Sequence, residues 1–313
     1  MSSGDERLPR HLIHIGYPKT GSSFLQRWFD ANPHLHYCAS GFAGFATVAE
    51  LAARGSRGDA SSWRITSFEG LVTPVESFNP LEGGRPNETL FSNRTSQDRV
   101  CTLLGQLFPG AKILLVTRGF RTLILSTYSQ AVRRGSARTF PEFCDALEKL
   151  VREGEDPYHF DWVIERYAAA FGADNLIVLP YELLRDDSQA FVAELENRLG
   201  LEHFPAPTDR VLPSLGGEEL YWYPRISRFL RGLSFGDRRR RRLMIWHWRA
   251  ARRNRLRPVI SLLQRVREAR PVTDALIPSS LTERLRGRSE RLRTLPLYAA
   301  LGRDYLFDGD EAE

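Results

Sequence analysis

The sequence predicts an α/β fold: a parallel sheet flanked by helices on both faces, with a P-loop-like phosphate-binding strand–loop–helix near the start and helical additions at the C-terminal end. Three observations predict it. The runs ILLVT at residues 113–117 and LIVL at 176–179 are apolar throughout, as strands covered on both faces are. Between such runs lie segments with apolar residues three and four apart, so strands alternate with helices and must run parallel. Residues 11–29, HLIHIGYPKTGSSFLQRWF, pass from a β-prone run through a loop rich in glycine and hydroxyls into helical spacing. In sheets of this kind ligands bind beyond the carboxyl ends of the strands, which is where that loop lies.

Taken in order, residues 11–15 form the first strand and 16–23 the loop. Phe24, Leu25, Trp28 and Phe29 stripe one face of a helix that should stop near Asn32-Pro33, because proline disfavours helix at the residue before it. Residues 39–60 give no clear assignment. WRITSF at 63–68 has strand composition and is followed by Glu69-Gly70; residues 73–97 carry Pro, Gly and Asn and read as a long loop. Val100, Leu103, Leu104 and Leu107 have helical period before Pro109-Gly110, and the 113–117 strand leads into a helix from Phe120 to Gly135. Thr139-Phe-Pro-Glu142 is a capping box for a helix reaching about Val151. Helices over 161–171 and from Ser188 to Gly200 bracket the strand at 176–179. Arg303 to Phe307 closes the sequence and is expected to pack back on the core.

The 313 residues are enough for one full core, and 42% hydrophobic with 26% charged content is that of a globular protein. The expected organisation is a single domain over residues 8–313, with a core at 10–200 and an arginine-rich helical part at 215–313. The start, MSSGDERLPR, is polar and lacks an apolar stretch, and no run approaches 18 apolar residues, so a cytoplasmic protein is expected. Cys38, Cys101 and Cys144 are odd in number and far apart, which argues against a disulfide scaffold, and no His/Cys/Asp cluster has metal-ligand spacing.

Strand, tight loop and helix N-terminus together cradle phosphate, because loop N–H groups and the first helical turn face one anion. Gly16 and Gly21 have the spacing of the nucleotide-triphosphate loop G-x-x-x-x-G-K-[ST], but Ser22 stands where its lysine should be. The nearby lysine is Lys19, in mid-loop. Only Lys19, Lys112 and Lys149 are lysines among 44 basic residues, which makes a lysine at this place more informative. A second constellation follows the 113–117 strand: Arg118 leaves its end and Ser126 lies eight residues on. A guanidinium offers a fork of donors to phosphate oxygens, and a hydroxyl adds another. A third is Leu179-Pro180-Tyr181-Glu182-Leu183-Leu184 after the next strand, where the Tyr181 ring suits either a nucleotide base or packing at the strand end.

Pro18-Lys19-Thr20-Gly21-Ser22-Ser23 resembles the 5′-phosphosulfate-binding loop of sulfotransferases that use 3′-phosphoadenosine 5′-phosphosulfate (PAPS). Arg118 and Ser126 resemble the pair with which that family grips the 3′-phosphate, and Tyr181-Glu182 its segment near the adenine. The resemblance covers roughly residues 10–200. It implies PAPS as sulfuryl donor, no metal, Lys19, Thr20, Gly21, Ser22, Ser23, Arg118, Ser126 and Tyr181 as binding residues, and in-line sulfuryl transfer to an acceptor hydroxyl or amine. Lys19 would stabilise charge on the bridging oxygen. Glu69, where these enzymes carry a base at a strand end, would take the acceptor's proton, with Glu76, Glu82 and Glu88 as rivals; His14 reads as a core histidine. The alternative is a P-loop small-molecule kinase, which would place a lysine after Gly21 and an acidic magnesium ligand at a strand end.

Charge is concentrated. Between Arg225 and Arg257 stand 13 arginines and one acid, Asp237, a net of +12, so the rest of the chain carries 6 − 12 = −6. Trp222, Tyr223, Phe229, Phe235, Trp246 and Trp248 interleave them. The segment suits a solvated helical face, a peripheral contact with an anionic membrane from the inner side, or a grip on an acidic acceptor; no nucleic-acid motif accompanies it. A glycan or lipid-linked acceptor is the expectation this segment favours.

Overall fold

The centre of the protein is a five-stranded sheet. β1 (Arg10–His14) pairs in parallel with two neighbours, and the strand order is β2-β3-β1-β4-β5, with every pairing parallel. The other strands are β2 (Leu35–Tyr37), β3 (Trp63–Ser67), β4 (Lys112–Thr117) and β5 (Leu176–Pro180). The computed structural model describes residues 10–47, 49–50, 62–72, 94–133, 135–208, 215–232, 242, 245–247, 249–250, 256–266 and 268–307. Outside them lie residues 1–9, half of the unassigned stretch 39–60, the loop glutamates Glu76, Glu82 and Glu88, and Phe235, Trp248 and the arginines at 238–241, 252, 253 and 255 of the arginine-rich segment.

Alternation along each strand divides the core between the two faces of the sheet. Leu12, Ile65, Leu114 and Val116 meet one face, covered by α1 (Ser22–Ala31) and α7 (Ser188–Leu199) through Trp28, Phe29, Phe191 and Leu195. Ile13, Ile113 and Leu115 meet the other, covered by α2 (Arg94–Leu107), α3 (Phe120–Arg133), α4 (Phe140–Arg152) and α5 (Phe160–Phe171). A fully buried large apolar side chain contributes about 1.5–3 kcal/mol, so both layers are needed to hold the strands parallel. The α/β class, and the burial of β4 on both faces, are as the sequence predicts.

Local signals set most helix ends. The Thr139 N–H donates to Glu142 Oε2 at 2.7 Å, closing the capping box of α4. Asp187 caps α7 by accepting from the Ala190 N–H at 2.9 Å, and Gly200 ends it at φ 64°. Three elements differ from the sequence expectation. β2 is three residues long, too short for any periodicity to register. α2 starts at Arg94, inside the expected loop, because its first N–H donates to Glu155 Oε2 at 2.9 Å, a cap supplied from 61 residues away. The short α6 (Tyr181–Asp186) follows β5 without an intervening loop.

The helical C-terminal part is continuous with this core. Leu220 and Tyr223 of α8 (Gly217–Gly232) and Ile260 of α9 (Arg257–Val266) belong to the same buried cluster as Ile13 and Leu115. Glu219, nearly buried, accepts from the Gly216 N–H at 2.7 Å and from Arg257 Nε at 3.1 Å, stitching α8 to α9. Arg228 reaches back to Glu142 at 2.5 Å. The segment Arg303 to Phe307 does pack on the core: Tyr305 and Phe307 are buried, as is Tyr298 before it.

His11 and His14 on β1 are buried as neutral rings. Burial holds His14 down at about 3, and burial with help from Arg64 holds His11 at about 4. Both values lie below the unfolded value of 6.5, so as pH falls through 6.5 the unfolded chain takes up the protons first. Stability should therefore drop between about pH 6.5 and pH 4, by roughly 1.4 kcal/mol per pH unit for each histidine at most. Urea unfolding at pH 7.5 and 4.5 measures the drop, and ring NMR should show both histidines neutral at pH 5.5.

Candidate active site

The loop after β1 bends through two left-handed residues, Lys19 at φ 69° and Gly21 at φ 88°. A lysine in that region costs about 1–2 kcal/mol, so the surrounding contacts must hold it there. A Cβ at Gly21 would stand 2.2 Å from Leu184 Cδ2 of α6, so the end of that leucine would have to shift. The Thr20 hydroxyl, fully buried, donates to the Tyr17 carbonyl at 2.6 Å and closes the bend from inside. Gly21 then serves as N-cap of α1, its carbonyl accepting from the N–H groups of Phe24 and Leu25 at 2.9 and 3.1 Å. Ser22 and Ser23 open the first turn, whose N–H groups have no intrahelical acceptor and carry the helix's partial positive charge. Ser23 is exposed, whereas Ser22 is buried and its Oγ has no hydrogen-bond partner. The Ser22 hydroxyl is thus a donor without a partner at the helix end that favours negative charge.

Arg118 joins this loop from the end of β4. Its Nη1 donates to the Lys19 carbonyl at 2.7 Å and to Ser126 Oγ at 3.3 Å, and its Nε donates to Thr122 Oγ1 at 3.0 Å. The guanidinium lies 4.4 Å from the ring centroid of Tyr181, a cation–π contact. Three of its five N–H groups are thereby committed, and the two on Nη2 have no partner among the described residues. Burial lowers the guanidinium from its ordinary value; Tyr181 and Glu182 oppose that shift. Arginine keeps its proton regardless, so a fixed positive charge with an open pair of donors stands beside the loop.

A buried polar network fixes the strand end from which Arg118 leaves. Glu182, on α6, accepts from the Gly119 N–H at 3.0 Å and from the Tyr305 hydroxyl at 2.9 Å. Thr117 Oγ1 lies 2.7 Å from the Tyr298 hydroxyl and 2.9 Å from that of Tyr305. Burial pushes both phenols well above their ordinary range, so they stay protonated as donors. Gly119 is held equally closely: a Cβ there would lie 2.6 Å from Asp304 Cβ.

Glu69 begins a one-turn 3₁₀ helix, Glu69–Leu71, just past the end of β3, and is half-buried. β3 is the strand next to β1, and the Phe68 N–H donates to the His14 carbonyl at 3.2 Å. Glu69 is thus at the loop's end of the sheet, on the opposite side of β1 from Arg118. His14 is a core residue as expected, with Nδ1 2.8 Å from Ser67 Oγ.

The structure therefore brings Lys19, Gly21, Arg118, Ser126 and Tyr181 into one contact set, with Ser22 at the adjoining helix start. Thr20 is beside them but spends its hydroxyl inside the loop. Sequence reasoning missed Thr122, Tyr298 and Tyr305, and gave Glu182 no role beyond its place in the segment after β5. Thr122, one helical turn beyond Arg118, had a usable signal in its i, i+4 spacing; the two tyrosines, more than 170 residues away, had none. Among the described residues no group of three or more His, Cys, Asp or Glu side chains could hold a metal ion, and no helix is long and apolar enough to cross a membrane.

No protein-family model matches the chain, and no curated protein matches it. Among solved structures it is similar to a sulfotransferase from Alicyclobacillus acidocaldarius, 16% identical with a TM-score of 0.43, over 66% of this chain and 86% of that one. It is also similar to mouse sulfotransferase SULT7A1 complexed with PAP, 13% identical with a TM-score of 0.35, over 73% of this chain and 66% of that one. Both likenesses are too distant to assign an activity to this chain.

The packing around Gly21 gives a direct test. Gly21→Ala should destabilise the protein by about 1–3 kcal/mol through the left-handed backbone and the Leu184 clash. Gly110→Ala, at a position with open space around it, should stay within about 0.5 kcal/mol. Urea midpoints for the two variants make the comparison.

Proposed function

We propose that this protein is a sulfotransferase that moves a sulfuryl group from PAPS to a hydroxyl or amine of a glycan or lipid-linked acceptor by in-line displacement. The observation that carries this is the Arg118 guanidinium, tied to the Lys19 carbonyl and Ser126 and offering its two Nη2 donors beside a phosphate-type loop. A loop alone suits one anionic group. A loop with a second fixed cation at its flank suits a nucleotide carrying phosphate at two places. The orphaned Ser22 hydroxyl fits the first of these.

PAPS, when bound, supplies an activated sulfuryl group on a phosphosulfate anhydride. The chain's own residues do the rest. The N–H groups of Thr20, Gly21, Ser22 and Ser23, with the Ser22 hydroxyl, hold the 5′-phosphosulfate at the start of α1. Arg118 and Ser126 hold the 3′-phosphate, and Tyr181 supports Arg118 from beneath while flanking the adenine. Lys19, bent into the loop, places its ammonium where negative charge grows on the bridging oxygen. Glu69 takes the acceptor's proton, help worth roughly 10²–10⁴-fold in such reactions. A triphosphate kinase would use a lysine directly after Gly21, and Ser22 occupies that position.

Calorimetry with adenosine 3′,5′-bisphosphate against ATP tests the donor. The bisphosphate should bind and ATP should not; ATP binding without bisphosphate binding would replace this proposal with the kinase. Arg118→Ala should weaken the bisphosphate by about 10–150-fold, the worth of one or two charge-assisted hydrogen bonds. Lys19→Ala should abolish transfer from radiolabelled PAPS, and Glu69→Gln should slow it within the range above while leaving bisphosphate affinity unchanged. Normal turnover in the Lys19 variant would remove that residue from the chemistry.

A further inference from the structure

The surface formed by α9 and its basic surroundings is not used by the proposed transfer site. α9 docks on the core through Ile260, 2% exposed. Its other face carries Val259, Leu262 and Val266, at spacings of three and four residues and so along one stripe. Leu262 is 61% and Val266 80% exposed. Trp246, in the arginine-rich stretch just before α9, is also exposed. Single exposed apolar side chains are ordinary; an apolar stripe on a helix at the end of a +12 segment is not.

Six of the described arginines near it in sequence fall into two groups. Arg228 and Arg257 are spent internally, on Glu142 and Glu219, and fasten α8 and α9 to the body of the protein. Arg242, Arg249, Arg265 and Arg270 are exposed, and none forms an ion pair among the described residues. The first group fixes the platform; the second leaves it strongly positive.

We propose that this platform seats the protein on an anionic lipid bilayer, with Leu262 and Val266 entering the interface and the exposed arginines facing the headgroups. An apolar stripe on a helix flanked in sequence by exposed arginines matches a bilayer boundary, where both contacts are made at once. Arginines near an anionic surface and methylenes buried in the interface both add to binding, so the two contacts reinforce each other. A second copy of the chain is a poorer occupant, because a two-fold interface would press two +12 segments together. Nucleic acid would use the arginines and leave the stripe in water. The proposal is independent of the sulfuryl-transfer site.

Flotation of the whole protein with phosphatidylcholine vesicles, with and without roughly 30% phosphatidylglycerol, tests it. Binding should require the anionic lipid and weaken at least tenfold between about 0.1 M and about 0.5 M salt. The double variant Leu262→Asp/Val266→Asp, at exposed positions that leave the fold intact by circular dichroism, should lose at least tenfold in vesicle binding. Arg249→Glu/Arg265→Glu should do the same, and bisphosphate affinity should not change in either. Failure of the wild-type protein to float with anionic vesicles would overturn the proposal. So would unaltered binding by the Leu262/Val266 variant, retention of a DNA oligonucleotide in preference to the vesicles, or a dimer in light scattering that this variant dissolves.

Discussion

One hydrogen bond organises the candidate site: Arg118 Nη1 to the carbonyl of Lys19, at 2.7 Å and across 99 residues of chain. It exists because β1 and β4 are neighbours in the sheet, so the residues leaving their carboxyl ends emerge side by side. A parallel sheet makes such meetings routine, and ligands accordingly gather at that end. What is particular here is that the cation grips the loop's backbone rather than a side chain. The bend at Lys19, left-handed and unfavourable for a lysine, is held by the same group to which the proposed function gives the second phosphate. Positioning and binding are thereby coupled: displacing the guanidinium would relax the loop.

The guanidinium in turn needs a rigid base, and the chain's end supplies it. Glu182, Thr117, Tyr298 and Tyr305 form a buried network in which the carboxylate accepts the Gly119 N–H and a phenol completes its coordination. Polar groups buried this deeply are costly when unpaired, by about 1–3 kcal/mol each, so the network is stable only when all its members are present. Residues 298 and 305 therefore belong to the foundation of a site whose visible motifs lie before residue 185. The hydrophobic cluster that runs from Ile13 through Tyr223 to Tyr305 has the same effect on a larger scale.

How much of this was legible in the sequence depended on how local the cause was. β4 and the α4 capping box follow from residues within a few positions of one another, and both stand where the sequence puts them. The start of α2 is decided by Glu155, and the docking of the last helical turn by Thr117 and Glu182; neither partner can be chosen without the fold. The site divides the same way. Lys19, Arg118, Ser126 and Tyr181 could be singled out because each sits at a strand end or one or two helical turns beyond it. That Tyr181 lies under Arg118 could not be read from spacing, since it depends on β5 lying next to β4. The direction of the Thr20 hydroxyl, donating to the Tyr17 carbonyl inside the loop, could not be read from spacing either.

The position of the lysine separates this loop from one built for a triphosphate. In G-x-x-x-x-G-K-[ST] the lysine leaves the first helical turn and reaches out past the loop. Here that position is Ser22, buried and with no partner for its hydroxyl, while the loop's only lysine, Lys19, stands at the left-handed bend before Gly21. Positive charge is therefore held at the middle of the loop and, through Arg118, at its flank, rather than projected beyond it. Under the proposed function this matches a donor whose breaking bond lies at the loop and whose second phosphate lies to the side. The side on which the second charge is offered is set by strand order, because a residue at the end of β4 can reach only the flank of the loop that follows β1.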